Sequence, residues 1–218
     1  MHLMQTLPRK PRKASRTAQK SPGAAAARAP GQVRIIGGQW KRTRLDVASK
    51  PGLRPTPDRV RETVFNWLGQ DLTGWRCLDA FAGTGALGFE AASRGAREVR
   101  LVEQDPALVL GLKAVQARLA ATTVQVVRGD GMLALKQCPR ASLDVVFLDP
   151  PFDSTLFEAA LQAAACVVQP EGYVYLEAPK AWDDAALAPM GLRVYRYLLA
   201  GAVHAHLLRP APVLGGTA

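Results

Sequence analysis

Four acids and one glycine-rich stretch carry the chemistry that this sequence can do. Asp79 lies in the apolar run RCLDAF, Glu103 closes EVRLVE, Asp130 follows VQVVR, and Asp149 closes LDVVFLD. Each run has the composition of a strand, and in an open α/β sheet the carboxyl ends of the strands share one crevice. Any one of these acids could be a helix cap; four at strand ends point to a ligand. Between Asp79 and the next run, Gly83-x-Gly85-x-x-Gly88 has the spacing that brings a ligand close to backbone and presents a helix N-terminus to an anion. A dinucleotide would set its pyrophosphate against the charge of Asp79. S-adenosylmethionine instead brings an ammonium and a sulfonium for the acids and one carboxylate for the helix end. Glu103, twenty residues beyond Gly83, stands where a ribose hydroxyl is held.

The elements that must position these groups are readable from periodicity. Strands are expected at 76–81, 98–103, 124–128, 143–149, 172–177, 192–199 and 203–208. Helices are expected at 86–95, from Pro106 to about Ala120, and at 155–168, with Asp105 as a cap and Gly95 as a stop. An earlier helix starts near Pro57, with Val60, Val64, Phe65 and Leu68 on one face and Gly69 at its end. Alternation of this kind implies a parallel, doubly wound α/β sheet. Upstream, VRIIGGQWKRTRLDV has two β-prone runs flanking Gly37-Gly38 and is read as a hairpin. In VVFLDPPFD the prolines cannot continue a central strand, so a stiff turn is expected directly after Asp149.

Composition narrows the class. At 218 residues and 48% hydrophobic content the chain suits one well-packed domain. It contains neither an apolar stretch of membrane-spanning length nor a signal-peptide core, and a cytoplasmic location is expected. Cys77, Cys138 and Cys166 form no CxxC pair and are read as small core residues in a reducing compartment. His204 and His206 share a strand face but lack a third ligand, so they are read as sheet-surface residues and no metal is expected. The net charge is +10, of which Arg9, Lys10, Arg12, Lys13, Arg16, Lys20 and Arg28 supply +7 in an acid-free stretch, leaving +3 elsewhere. Residues 1–31 are expected to be a disordered basic tail. A solvated tail with weak RNA affinity ranks first, a dispensable extension second, and an organelle transit peptide third.

RIIGGQWKRTRL, GLRPTPDRVRETVFNWL, FAGTGALGFEAASRGA and DPPF together resemble the RsmD family of class I S-adenosylmethionine-dependent methyltransferases. The resemblance spans about Val33 to Arg209, and DPPF is similar to the motif of enzymes that methylate planar amines. The departures are Thr84 in place of a common Ser, Pro57 in place of Thr or Ser, and the tail. The resemblance implies a Rossmann-like fold: a seven-stranded, mostly parallel, doubly wound sheet with an antiparallel C-terminal strand, plus an N-terminal β-hairpin. Its segments are the tail, the hairpin extension (32–53), the methyltransferase domain (54–210) and a flexible C-terminus (211–218).

The implied activity is methyl transfer from S-adenosylmethionine to the exocyclic N2 amine of a specific guanine in 16S ribosomal RNA. A monomer acting on a small subunit or an assembly intermediate, with no membrane partner, is expected. Asp79, Phe81, Gly83, Gly85, Glu103, Asp130, Gly131, Arg54 and Thr56 are the implied cofactor residues. Asp149, Pro150, Pro151 and Phe152 are the implied catalytic group, holding the base and orienting its amine. Arg34, Trp40, Lys41, Arg42, Arg44 and Arg59 are expected to meet RNA. Two other activities use the same motif. A DNA amino-methyltransferase normally needs room for a target-recognition region, and this chain has little spare length; a protein glutamine N-methyltransferase has less use for the basic front. An NAD-type oxidoreductase conflicts with Asp79 and DPPF, and a non-enzymatic RNA-binding protein is the remaining alternative.

Overall fold

The computed structural model describes residues 31–46, 56–152 and 154–212. Arg54, nearly all of the basic tail, much of the linker after the hairpin and most of the C-terminal octapeptide therefore lie outside the described residues. Among the described residues a seven-stranded sheet forms from β3 (Arg76–Asp79), β4 (Glu98–Glu103), β5 (Val124–Arg128), β6 (Leu143–Leu148), β7 (Val168–Ala178), β8 (Leu192–Ala200) and β9 (Val203–Pro210). Its order is β5-β4-β3-β6-β7-β9-β8, with β9 antiparallel to both neighbours. The mostly parallel sheet with one reversed C-terminal strand is thus as expected. Chain order reverses between β3 and β6, which places the ligand crevice at their carboxyl ends.

The helices are α1 (Asp58–Trp67), α2 (Ala86–Ser93), α3 (Pro106–Arg118), α4 (Gly131–Gln137), α5 (Phe157–Val167) and the short α6 (Asp184–Leu187). They cover two apolar layers. Val60, Phe65, Phe89, Phe147, Tyr175 and Leu207 belong to one, and Val146, Leu148, Leu161, Leu176, Trp182 and Leu208 to the other. Adjacent residues of β6 and β7 fall in opposite layers, which is why LDVVFL reads as an unbroken apolar run. Burial of this kind is worth roughly 25 cal/mol per Å² of apolar surface. No helix among the described residues is long and apolar enough to cross a membrane.

Of the three cysteines read as core residues Cys77 is buried, Cys138 is half-buried and Cys166 is exposed, and three further details differ from the sequence reading. First, β1 (Gln32–Arg34) pairs with β2 (Arg44–Asp46) over three residues, and Gly37-Gly38 does not make a tight two-residue turn. The glycines dock instead on the C-terminal end of α2. The N–H groups of Ile36 and Gly37 donate to the two carboxylate oxygens of Glu90 (2.7 and 2.8 Å), and Gln39 N–H donates to Ser93 O (2.8 Å). Gly38 has φ +71°, and a Cβ there would lie 1.8 Å from Ser93 O. Second, β7 starts four residues earlier than expected: Val168 pairs with Leu143 before the register shifts at Tyr173. Third, His206 is not a surface residue. It is fully buried, accepts a hydrogen bond from Trp182 N–H (3.0 Å), and burial lowers its pKa to about 4, so the ring stays neutral. No group of three or more metal-ligating side chains exists among the described residues.

Candidate active site

A cleft of about 1140 Å³ opens at the carboxyl ends of the parallel strands. Its lining includes Thr56, Asp79, Phe81, Gly83, Glu103, Gly131, Asp149, Pro150, Pro151, Phe152 and Glu177. Asp79 ends β3 at 2% exposure, and its Oδ2 accepts the Gly88 N–H at 3.1 Å. Gly85 takes a left-handed conformation (φ +74°) that turns the chain into α2, so the helix starts beneath the loop that follows Asp79. Glu103 ends β4 and accepts the N–H groups of Gly83 (2.9 Å) and Asp105 (2.8 Å), one on each oxygen. The loop is thereby tied to the neighbouring strand. Gly131 begins α4 so close to β3 that a Cβ would lie 2.0 Å from Ala80 O.

Asp130 is the acid whose side chain is not brought into the cleft. It is exposed, caps α4 through Leu133 N–H (2.9 Å) and accepts from Gln104 Nε2 (3.2 Å), while Gly129 and Gly131 on either side line the cleft. The helix-cap alternative holds for its side chain. Thr56 does face the cleft, but its hydroxyl is engaged by Glu177 Oε1 at 2.5 Å.

After β6 the chain turns sharply. Asp149 is half-buried, Pro150 is buried, Pro151 is exposed, and Phe152 is 40% exposed at the mouth. Ser154 N–H donates to Pro151 O (3.0 Å) and closes the turn around Phe152. The basic residues lie outside the cleft lining. Arg34, Lys41, Arg42, Arg44 and Arg59 are exposed on the hairpin and on α1, with Arg34 3.6 Å from Asp58. Trp40 is half-buried and packs on the core next to α2 rather than standing free. Its N–H donates to Ser93 Oγ (2.9 Å).

Sequence reading missed Glu177, which lies near the end of β7 and is 3% exposed. Its signal, an acid closing an apolar strand, was the one already used for the other four. It also missed the buried network behind the cleft. The Arg61 guanidinium, fully buried, donates to Asp58 (2.6 Å) and to the carbonyl of Arg34 (2.8 Å), and lies 3.6 Å from Glu90. Burial lowers the Arg61 pKa against the opposing pull of Asp58 and Glu90. No periodicity announces a charge in the middle of a helix's buried face.

The cleft is electrostatically frustrated. Burial, with the charges of Glu103 and Glu177 behind it, pushes Asp79 up to about 7 despite its backbone hydrogen bonds. Asp149 is held well above the usual carboxylate range by burial first, then by Glu177 and Asp79. Burial also raises Glu177, against hydrogen bonds from Thr56 and Tyr175 and the charge of Arg61. Carboxylates crowded like this are stabilised by a cation and not by one another.

Comparison with known proteins places the chain in a family. The family model described as Conserved hypothetical protein 95 matches residues 33–209. Ribosomal RNA small subunit methyltransferase D of Escherichia coli (strain K12) is 49% identical over 133 residues, which is 60% of this chain and 66% of the relative. The protein of the same name from Haemophilus influenzae is 42% identical over 158 residues, 70% of this chain and 81% of its own. The solved structure of the Escherichia coli yhhF protein superposes with a TM-score of 0.71 at 39% identity, covering 83% of this chain and 99% of that one.

Proposed function

The chain belongs to the RsmD-type methyltransferase family, and from that premise we propose that it methylates the exocyclic N2 amine of a guanine in small-subunit (16S) ribosomal RNA, with S-adenosylmethionine as the donor. The observation that carries the reading is the pair of acids at neighbouring strand tips. Asp79 sits beside the glycine loop and Asp149 beside Pro150 and Phe152, and among the described residues no Lys or Arg lines the cleft.

The residues fit the donor. Asp79 is a buried carboxylate with a raised pKa, suited to an ammonium. The N–H groups at the start of α2 suit a carboxylate. Glu103 keeps lone pairs for ribose hydroxyls, and Phe81, Gly131 and the backbone beside Asp130 form the wall for adenine. When bound, S-adenosylmethionine supplies an electrophilic methyl on its sulfonium.

The chain's own task is to aim a poor nucleophile. The lone pair of a guanine amine is delocalised into the ring. Asp149 and the Pro150 carbonyl would accept hydrogen bonds from the two amine N–H groups, turning the lone pair toward the methyl and stabilising the positive charge that grows on nitrogen. The prolines fix the carbonyl's direction, and Phe152 stacks on an extruded base. Arg34, Lys41, Arg42, Arg44 and Arg59 would hold the RNA backbone, with Trp40 beside them. The test is incubation with labelled S-adenosylmethionine and small subunits from a strain lacking this protein, followed by mapping of the modified nucleotide. Label on the N2 amine of one guanine is expected. Label only in protein or DNA overturns the proposal.

A further inference from the structure

Glu177 is a preorganised acceptor that the methyl-transfer step does not use. β6 and β7 run in parallel register, Phe147 opposite Tyr175 and Leu148 opposite Leu176, so Glu177 falls beside Asp149 at the next position. Two hydroxyls converge on one of its oxygens: Thr56 Oγ1 donates to Oε1 at 2.5 Å and Tyr175 Oη at 2.9 Å. Among the described residues no group donates to Oε2, and Glu177 lines the cleft. A 3%-exposed carboxylate whose second oxygen has no donor among the described residues has room for a ligand to donate to it.

The position of Glu177 identifies that donor. Across the crevice the acids run in strand order: Glu103 on β4, Asp79 on β3, Asp149 after β6, Glu177 on β7. Glu177 is therefore on the far side of Asp149 from the glycine loop, beside the base and away from the cofactor. On guanine, the N2 amine stands next to the ring N1–H, so two donors are adjacent. On adenine and cytosine, the amine stands next to a ring nitrogen lone pair. A carboxylate beside the amine-binding Asp149 accepts from the first arrangement and repels the second two.

Resting on the guanine reading, we propose that Glu177 is the specificity-determining residue of the base site. Its Oε2 receives the N1–H of guanine, and it rejects purines and pyrimidines that offer a lone pair there. The same contact separates this chain from enzymes that use a DPPF turn on adenine or cytosine. Thr56 and Tyr175 are positioning residues that aim the carboxylate.

The test uses the full chain and small-subunit RNA carrying either guanine or 2-aminopurine at the methylated position. 2-Aminopurine keeps the N2 amine and replaces N1–H with a lone pair. Wild-type enzyme is expected to prefer guanine in kcat/KM by about 100-fold or more, as sites built to hydrogen-bond a substrate group reject analogues lacking it. In Glu177→Gln the amide can donate to that lone pair, and the preference is expected to narrow at least tenfold, with S-adenosylmethionine still bound. A lost residue that served only the fold would lower both substrates equally, and an unmoved ratio overturns the inference. Should the variant fail to fold, the wild type decides: equal use of the two bases overturns it, and strong preference that weakens as falling pH protonates Glu177 supports it. Wild-type enzyme that labels neither base refutes the guanine reading itself, which is a separate outcome.

Discussion

Binding of S-adenosylmethionine should release a proton, and Asp79 should be its source. In the free protein this carboxyl titrates near 7, raised by burial more than by its acidic neighbours. An ammonium needs the ionised form. Below pH 7 the apparent affinity should therefore fall about tenfold per pH unit, or roughly 1.4 kcal/mol each. Near pH 6 about 0.9 proton should be released per ligand bound, falling to about 0.1 at pH 8. Above pH 8 the ligand's own α-amino group loses its proton, since such groups titrate near 8, so affinity should peak between roughly 7 and 8. The same shift has the opposite effect on the empty fold. An acid with a raised folded pKa holds its proton more tightly folded than unfolded, so stability is lost as pH rises from about 4 to about 7. The shift from 3.8 to about 7 caps that loss near 4 kcal/mol at 1.36 kcal/mol per unit. Asp79→Asn should thus melt higher than wild type at pH 8 while binding the ligand more weakly and without proton release. Calorimetry in two buffers of different ionisation enthalpy measures the protons directly. A pH-independent dissociation constant between 5.5 and 7.5, with no buffer dependence, would refute the assignment of Asp79 to the ammonium.

Three further outcomes follow from named contacts. Asp149→Ala and Phe152→Ala should each lose most methyl transfer, by 100-fold or more on the scale of lost transition-state hydrogen bonds, while equilibrium dialysis shows S-adenosylmethionine still bound. Glu90→Ala should cost about 3–5 kcal/mol in denaturant unfolding, because it removes one of the two carboxylates beside the buried Arg61, the partner of Arg94 and the acceptor of two hairpin N–H groups. Near-wild-type stability would mean the hairpin is not held through Glu90. Deleting residues 1–31 removes seven basic side chains, so the slope of log affinity for RNA against log salt should become shallower by up to about 5, at about 0.7 per single-strand phosphate contact. A filter-binding salt titration with an unchanged slope would mean the tail does not touch RNA.

What could be read from the chain tracks what is local. Asp105 caps α3 with Pro106 behind it, and the limits of β4 and β5 match the apolar runs, because propensity and capping act within a few residues. The parallel order followed from alternation. The hairpin pairing was legible too, but its turn was not: Gly37-Gly38 looked like a tight turn, yet its geometry answers to Glu90 and Ser93 more than fifty residues away. His206 alternated with His204 on a strand like a surface residue, but its strand is covered by Trp182 and fully buried at that point. The strand-end rule picked out Asp79 and Glu103, which line the cleft, and it also promoted Asp130, whose carboxylate is exposed and caps a helix. Strand ends can be located in a sequence, but the direction in which a side chain leaves them depends on the packing of the next element.

The order of the acids along the crevice explains why such a costly arrangement can persist. β3 and β6 are neighbours in the sheet, though β4, β5 and three helices separate them in the chain. Their tips are the point where the winding reverses, so no crossover helix covers them and the crevice stays open. Asp79 and Asp149 stand on the two sides of that gap, one beside the glycine loop and one beside Pro150. Methyl transfer needs a cationic donor and an amine that becomes cationic as it reacts, brought together along one line. Two carboxylates at adjacent strand tips suit both requirements, and Asp79 helps to raise the pKa of Asp149. The repulsion that weakens the free fold is relieved only when positive charge enters. On the proposed reading, binding energy is concentrated where charge develops, and the energetic cost falls on the apolar layers beneath, where Phe65, Phe147 and Tyr175 are fully buried.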